Sequence, residues 1–263
     1  MLLRRITEHV KAQNWFAVGL DFLIVVVGVF IGIQVANWNA ARADRALEQE
    51  YIALLAQDID AIEETLNVQI AHEDAISDAA KHALAMINDR SLNHDAMAVG
   101  HALMGIWGRR TLSIDSPTYS ELKSAGRLTI ISDTEIRAHL IAYFDDLLRT
   151  ERIVEKNNEF FAEHYTGFLR DSGIGFIPAP RTNCDAADYS EICVYGDLLT
   201  NVVNGETSHS AEQILSAPSD DPLWIQLRSQ IAYRTLAAVA NSRVASGALD
   251  ESQEISAMLE ANK

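Results

Sequence analysis

Eight histidines, His9, His72, His82, His94, His101, His139, His164 and His209, are the residues best suited to metal or proton chemistry in this chain. Their surroundings decide against most of it. A di-iron helical bundle needs two Glu-x-x-His motifs on facing helices, and that pair is not written here. His-Glu-x-x-His, Gly-x-Ser-x-Gly, a phosphate-binding glycine loop and Cys-x-x-Cys-His are likewise missing from the sequence. Two acid–histidine pairs remain at i and i+4, Asp78 with His82 and Glu135 with His139. Such pairs can share a ligand on a helix face or stand as ordinary solvated neighbours. No catalytic residue, metal site or cofactor is therefore expected.

Away from the amino terminus, the densest mix of aromatic, charged and glycine residues is Tyr119, Glu121, Lys123, Gly126 and Arg127, within SPTYSELKSAGRL. It reads either as a recognition turn or as an architectural corner in which Tyr119 and Leu122 pack inward while Gly126 reverses the chain. Nearby Arg109 and Arg110 can pair with acidic neighbours or bind an anion. Cys184 and Cys193 have eight residues between them. A disulfide closing a small loop in an oxidising compartment fits that spacing, and two reduced thiols are the other reading.

These residues must be positioned by helices, and the first is the most distinctive. Trp15 and Trp38 stand 23 residues apart and bracket the apolar run WFAVGLDFLIVVVGVFIGIQVANW. At ~1.5 Å per helical residue they are roughly 34 Å apart, which matches a bilayer core with its tryptophan-favouring interfaces. The expectation is an uncleaved transmembrane helix over 15–38, preceded by a cytoplasmic or interfacial segment, 1–14. A cleaved signal peptide is the competing reading. Against it stand about twenty residues before the apolar core, Asp21 directly ahead of it and the Asn37-Trp38-Asn39 flank. Asp21, Gly28 and Gly32 fall on one stripe of this helix, with Gln34 close by. Small residues let helix backbones approach in lipid, and an intramembrane carboxyl or amide seeks a protein partner. The stripe is therefore expected to pack on another transmembrane helix, from a second copy or a different protein.

Charge sets the orientation and excludes some partners. Arg4, Arg5 and Lys11 precede the span and Arg42 and Arg45 follow it, a three-to-two excess on the amino side. With the cysteines, that predicts a cytoplasmic amino terminus and a periplasmic domain over 39–263, in a bacterial inner membrane. The chain's net charge is −16, with 37 acidic and 21 basic residues. Such a surface repels nucleic acid, so the lipid bilayer and another membrane helix are the expected partners.

The remainder reads as all-α. From Trp38 to Asp89 there is no proline or glycine, which predicts one long helix, or two with a slight break. Leu55, Ile59, Ile62 and Leu66 give an apolar phase that passes through Gln69 and Glu73 before resuming at Ile76, Ala80, Ala83 and Ile87. That polar interruption predicts a bundle helix instead of a clean coiled coil. Further helices are expected over about His94–Trp107, after Pro117, from a Ser132–Glu135 capping box to just before Gly173, over Asp197–Val203, from Pro222 to Gly247, and over Asp250–Leu259. A loop is expected at 173–195, and Leu128–Ile131 is the one short stretch that could be a strand. The architecture predicted is an elongated helical bundle continuing the membrane helix.

Two blocks resemble a family of functionally uncharacterised bacterial single-pass membrane proteins. One is the membrane exit IVVVGVFIGIQVANWNAARADR; the other is SPTYSELKSAGRLTIISDTEIRAHLIAYFD. They are similar to that family's apolar run ending in Gln-x-x-Asn-Trp-Asn, and to its Tyr-x-x-Leu-x-x-Ser-Gly-x-Leu core followed by a helix. Ala125 stands where that family often has serine, and the Cys184 loop lies outside its pattern. The resemblance implies a membrane-anchored helical domain and supplies no catalytic residues. The expected function is non-enzymatic binding of a partner protein or ligand, in an assembly, accessory or sensor-like role. An envelope hydrolase with a site between helices is the alternative. No output domain is written after the bundle, so any signal is expected to pass to another chain.

Overall fold

The computed structural model describes residues 15–89, 102–103, 105–172, 174–177, 198–201, 218 and 220–262. The chain divides into two compact units, Met1–Ile52 and Ala53–Lys263. One helix, α1 (Trp15–Asn88, 74 residues), runs through the division. The stretch free of proline and glycine thus folds as one helix without a break.

In the first unit the large apolar side chains from Leu20 to Val35 are 45–70% exposed. α1 is the one helix among the described residues long and apolar enough to cross a membrane, and none of its most apolar window is buried. An apolar surface left this open in water would be strongly unfavourable, and a bilayer removes that penalty.

The second unit is built on three long helices. These are α1 from Ala53 onward, α3 (Thr134–Ser172) and α4 (Pro222–Glu260), with the shorter α2 (Pro117–Ser124) between α1 and α3 in the chain. Each long helix buries residues at alternating steps of three and four. On α1 the buried series is Leu55, Ile59, Ile62, Leu66, Gln69, Glu73, Ile76, Ala80, Ala83 and Ile87. The seam is therefore continuous through Gln69 and Glu73, because both side chains sit fully inside the core. On α4 the series runs from Trp224 to Leu259. On α3 the step from Val154 to Asn158 is a second successive four, a stutter that shifts the buried face at Asn158. α3 and α4 run antiparallel, since Tyr143 meets Ser252 and Asn157 meets Asn241. One apolar cluster joins Ala80, Ala83 and Ile87 to Phe161, Tyr165 and Phe168 and to Trp224, Leu227 and Ile231.

Local signals set most helix ends. Ser116 caps α2 by accepting from the Tyr119 N–H, and Pro117 occupies the first position. At its other end the Gly126 N–H donates to Lys123 O and the Arg127 N–H to Leu122 O, with Gly126 at φ +65°. This is a Schellman stop, and glycine meets its left-handed requirement without strain. Asp221 caps α4 through the Leu223 N–H, and Pro222 follows.

Four local expectations are corrected. The cap of α3 is Asp133 in place of Ser132: its Oδ1 accepts from Glu135 N–H and Ile136 N–H, and the helix starts at Thr134. Gly247 does not end α4, which continues to Glu260. Glycine costs about 1 kcal/mol in a helix interior, and burial of Ala248, Ser252, Ile255 and Leu259 on the same seam outweighs that. Leu128–Ile130 is a short 3-10 helix and no strand. Strand β2 (Leu198–Asn201) replaces the helix expected over Asp197–Val203, pairing antiparallel with β1 (Ile174–Ile177) inside the stretch expected to be loop. Backbone pairing with a partner strand overrides the weak helical pattern of a short segment. The fold remains all-α, with this one ribbon among the described residues. Residues 1–14, Cys184 and Cys193 lie outside the described residues, as does most of the helix expected over His94–Trp107.

Candidate functional site

Several buried seam positions with polar side chains come together in one layer of the second unit: Gln69 and Glu73 from α1, Asn158 from α3, and Arg234 and Asn241 from α4, with the half-buried Asn157 beside them. Glu73 accepts at Oε1 from Gln69 Nε2 (2.9 Å) and Asn241 Nδ2 (3.0 Å), and at Oε2 from Arg234 Nη1 (3.4 Å). The Arg234 guanidinium turns its other donors on backbone, with Nη2 to Gly108 O at 2.8 Å and Nε to Ile106 O at 3.2 Å. Its face lies 5.1 Å from the Phe161 ring centre. Asn158 Nδ2 donates to Arg110 O (3.0 Å), and Asn157 Nδ2 donates to Asn241 Oδ1 (2.8 Å). A non-helical segment, Gly108–Arg110, is thus held to the bundle by the buried side chains of Arg234 and Asn158.

Burial governs the charges here. It pushes the Glu73 carboxyl above its ordinary range, against the opposing effect of Arg234 and the Asn241 and Gln69 amides. It also lowers Arg234, with Glu73 pulling the other way. Beside them His72 is buried, and its Nε2 finds no hydrogen-bond partner among the described residues. Burial, followed by the fields of Arg234 and Arg110, brings its imidazole down to about 4, so it is neutral at physiological pH. At a separate position Tyr143 donates to or accepts from Ser252 Oγ at 2.7 Å, and burial raises its phenol to about 12.

Chemically this layer is inward-facing. Both Glu73 oxygens accept from the protein, and Arg234 spends its donors on Glu73 and two carbonyls. Such a network fixes which helices meet and at what height, because moving any member strands a buried polar group. Among the described residues no group of three His, Cys, Asp or Glu side chains is placed to hold a metal.

The residues singled out by sequence fall elsewhere. Tyr119 is buried and stacks on Phe144 with ring centres 3.9 Å apart, Lys123 lies 5.3 Å over the Tyr119 ring and 3.7 Å from Asp145, and Glu121 and Arg127 are exposed. Asp58 Oδ2 on α1 accepts from Ser116 Oγ (2.7 Å) and the Thr118 N–H (2.9 Å), which ties the start of α2 to α1. Tyr119 and Leu122 thus pack inward while Gly126 reverses the chain, and the exposed rim of the turn is Glu121, Lys123 and Arg127. Asp21, Gly28, Gly32 and Gln34 are exposed on α1, and a Cβ added at Gly28 or Gly32 would meet nothing within 4 Å. Trp15 opens α1, and Trp38 is exposed with the Arg42 guanidinium 6.0 Å from its ring centre. Asp78 pairs with Lys81 at 2.8 Å.

The sequence held one signal for the polar layer, which lay in phase. Gln69 and Glu73 continue the α1 seam, and Arg234 and Asn241 continue that of Trp224, Leu227 and Ile231. A polar residue at a core phase marks a buried network as readily as a break. Fold and site together define an all-α protein with, among the described residues, one candidate membrane helix and an internally hydrogen-bonded bundle. No family model, curated protein or solved structure matches the chain.

Proposed function

We propose that this is a single-pass membrane-anchored protein, related to the uncharacterised bacterial family its sequence resembles, whose extracytoplasmic helical domain binds a partner without catalysing a reaction. The observation that carries this reading is the uninterrupted exposure of the apolar segment Leu20–Val35 on a helix that also enters the core of the bundle. Two further features support it. The buried Glu73 and Arg234 hydrogen-bond to the protein itself, which suits a scaffold, and Gly28 and Gly32 leave an open helix face for a neighbour in lipid.

The arms of the proposal are separable. The excess of Arg4, Arg5 and Lys11 over Arg42 and Arg45 orients the amino terminus to the cytoplasm and the bundle to the periplasm. Protease added to intact spheroplasts is expected to degrade the bundle while leaving a tag before Met1 intact. A protected bundle would reverse the topology. Affinity purification of the full chain from native membranes in mild detergent is expected to recover a stoichiometric second protein or a homo-oligomer. Recovery only as an isolated monomer, with no cross-links periodic with Gly28 and Gly32, would sink the partner reading. A defined activity on an envelope substrate, lost with a single side chain, would restore the hydrolase alternative.

A further inference from the structure

Between α1 and α2 the chain crosses the bundle with no helix of its own over Gly108–Ser116. Asp58, Thr65, His72 and Ala79 repeat at seven along α1 and so share one face. Gly105 stands at the Ala79 end of this row, where a Cβ built on it would lie 3.8 Å from Ala79 Cβ, and Ser116 stands at the other end, 2.7 Å from Asp58 Oδ2. Ala79 and Asp58 are roughly 31 Å apart along the helix, a distance that the chain from Gly105 to Ser116 spans only when most of its residues are close to full extension. Gly108–Ser116 is a taut strap along α1, and all three long helices hold it. Arg234 of α4 donates to the carbonyls of Ile106 and Gly108, and Asn158 of α3 to that of Arg110. Glu151 of α3 accepts from the Ile114 N–H, and Asp58 of α1 accepts from Ser116 Oγ and the Thr118 N–H.

His72 lies under this strap, a third of the way from Ala79 to Asp58, which brings it level with Arg109 and Arg110. It is 9% exposed, and its Nε2 has no hydrogen-bond partner among the described residues. Its charged neighbours are mainly cations. Arg110 acts on it from the strap and Arg234 from α4, and both fields oppose its protonation. Glu73, beside it on α1, gives its oxygens to Gln69, Asn241 and Arg234, and α3 brings the neutral Asn158 to this level. Arg109 is exposed, as is Asp115 at the far end of the strap. A proton on the covered imidazole is therefore opposed by burial and by two guanidinium groups, whereas an open strap admits water and carries Arg110 away. We propose that Gly108–Ser116 is an acid-released strap: protonation of His72 detaches it from α1 while the three-helix bundle stays folded. Local release is the easier opening, because it breaks a handful of hydrogen bonds and uncovers Leu112, while unfolding exposes the whole cluster around Ile87, Phe161, Tyr165 and Trp224. In acid the domain then presents the α1 face between Asp58 and Ala79, which the strap covers at neutral pH.

Hydrogen exchange of the full chain in detergent, read by mass spectrometry at about pH 7.5 and about pH 5.5 and corrected for the intrinsic rate at each, tests this. Opening of the strap should rise about tenfold over that interval, the factor set by an imidazole that titrates at 6.5 when open and at about 4 when covered. Peptides covering Gly108–Ser116 should show that rise, and those covering Ala237–Asn241 on the buried seam of α4 should not. His72→Gln should remove it, which separates the imidazole from the carboxylates of Asp58 and Glu151. His72→Met serves in its place if circular dichroism shows that the glutamine variant has lost helix content. In the unaltered chain, strap exchange that stays constant, or that rises in step with α4, overturns the proposal. An equal rise in the neutral variant overturns it too, and assigns the acid response to the carboxylates.

Discussion

Arg234 on α4 and Glu73 on α1 face each other at 3.4 Å, and neither side chain has any solvent-exposed surface. That separation is long for a charge-assisted contact, and the shorter Arg234 bonds go to the carbonyls of Gly108 and Ile106. The guanidinium is therefore a clamp on a connecting segment as much as a counter-ion.

Removing one member of this pair should be far worse than removing both. Arg234→Leu leaves the Glu73 carboxylate buried without its counter-charge and strips two carbonyls of their donor. Denaturant unfolding of the full chain in detergent is expected to lose about 3–5 kcal/mol. Adding Glu73→Leu should recover a large part of that loss. A double-variant loss equal to the sum of the two single-variant losses would show that the two groups are not coupled.

His72 should make the domain acid-sensitive. Its folded-state value of about 4 lies below the 6.5 of the exposed imidazole, so its contribution is fully present above 6.5 and is lost as pH falls from there toward 4. The shift corresponds to about 3 kcal/mol across that window. Glu73 acts in the opposite sense, because its raised value makes its ionisation cost stability as pH rises. The stability difference between the wild type and His72→Leu should therefore change between pH 6.5 and 4, and a pH-independent difference would refute the assignment.

Among the described residues, Gly126 is the position where glycine's backbone freedom is required. Its φ of +65° closes the Schellman stop of α2, and a side chain there has open space but a strained backbone. Gly126→Ala should cost about 1 kcal/mol and lower Tm by roughly 2–4 °C in a domain of this size. Gly126→Asn should cost less.

Gly247 should respond in the opposite direction. It is exposed in the interior of α4, and an added Cβ meets nothing within 4 Å. Gly247→Ala is expected to raise stability by about 0.5–1 kcal/mol through helix propensity and a less flexible unfolded chain. A loss of stability in thermal unfolding would mean that the glycine marks a needed flexure.

The α2 caps, the start of α4 and the all-α class were legible because each depends on residues adjacent in sequence. Ser116 and Asp221 reach N–H groups two or three residues on, Pro117 and Pro222 fix the first turn, and Gly126 stops the helix. The 74-residue length of α1 followed from the absence of proline and glycine over its second half and the apolar run over its first.

What tertiary structure alone decided are the places where a distant partner outweighs a local signal. Gly247 is a helix breaker by propensity, and the buried seam beyond it holds α4 straight through. Glu73 looked like a gap in an apolar stripe because its stabilising donors, Asn241 and Arg234, lie more than 160 residues away. Periodicity reports which face a residue occupies, and only the arrangement of three helices determines whether a polar side chain on that face meets its partners or leaves a break.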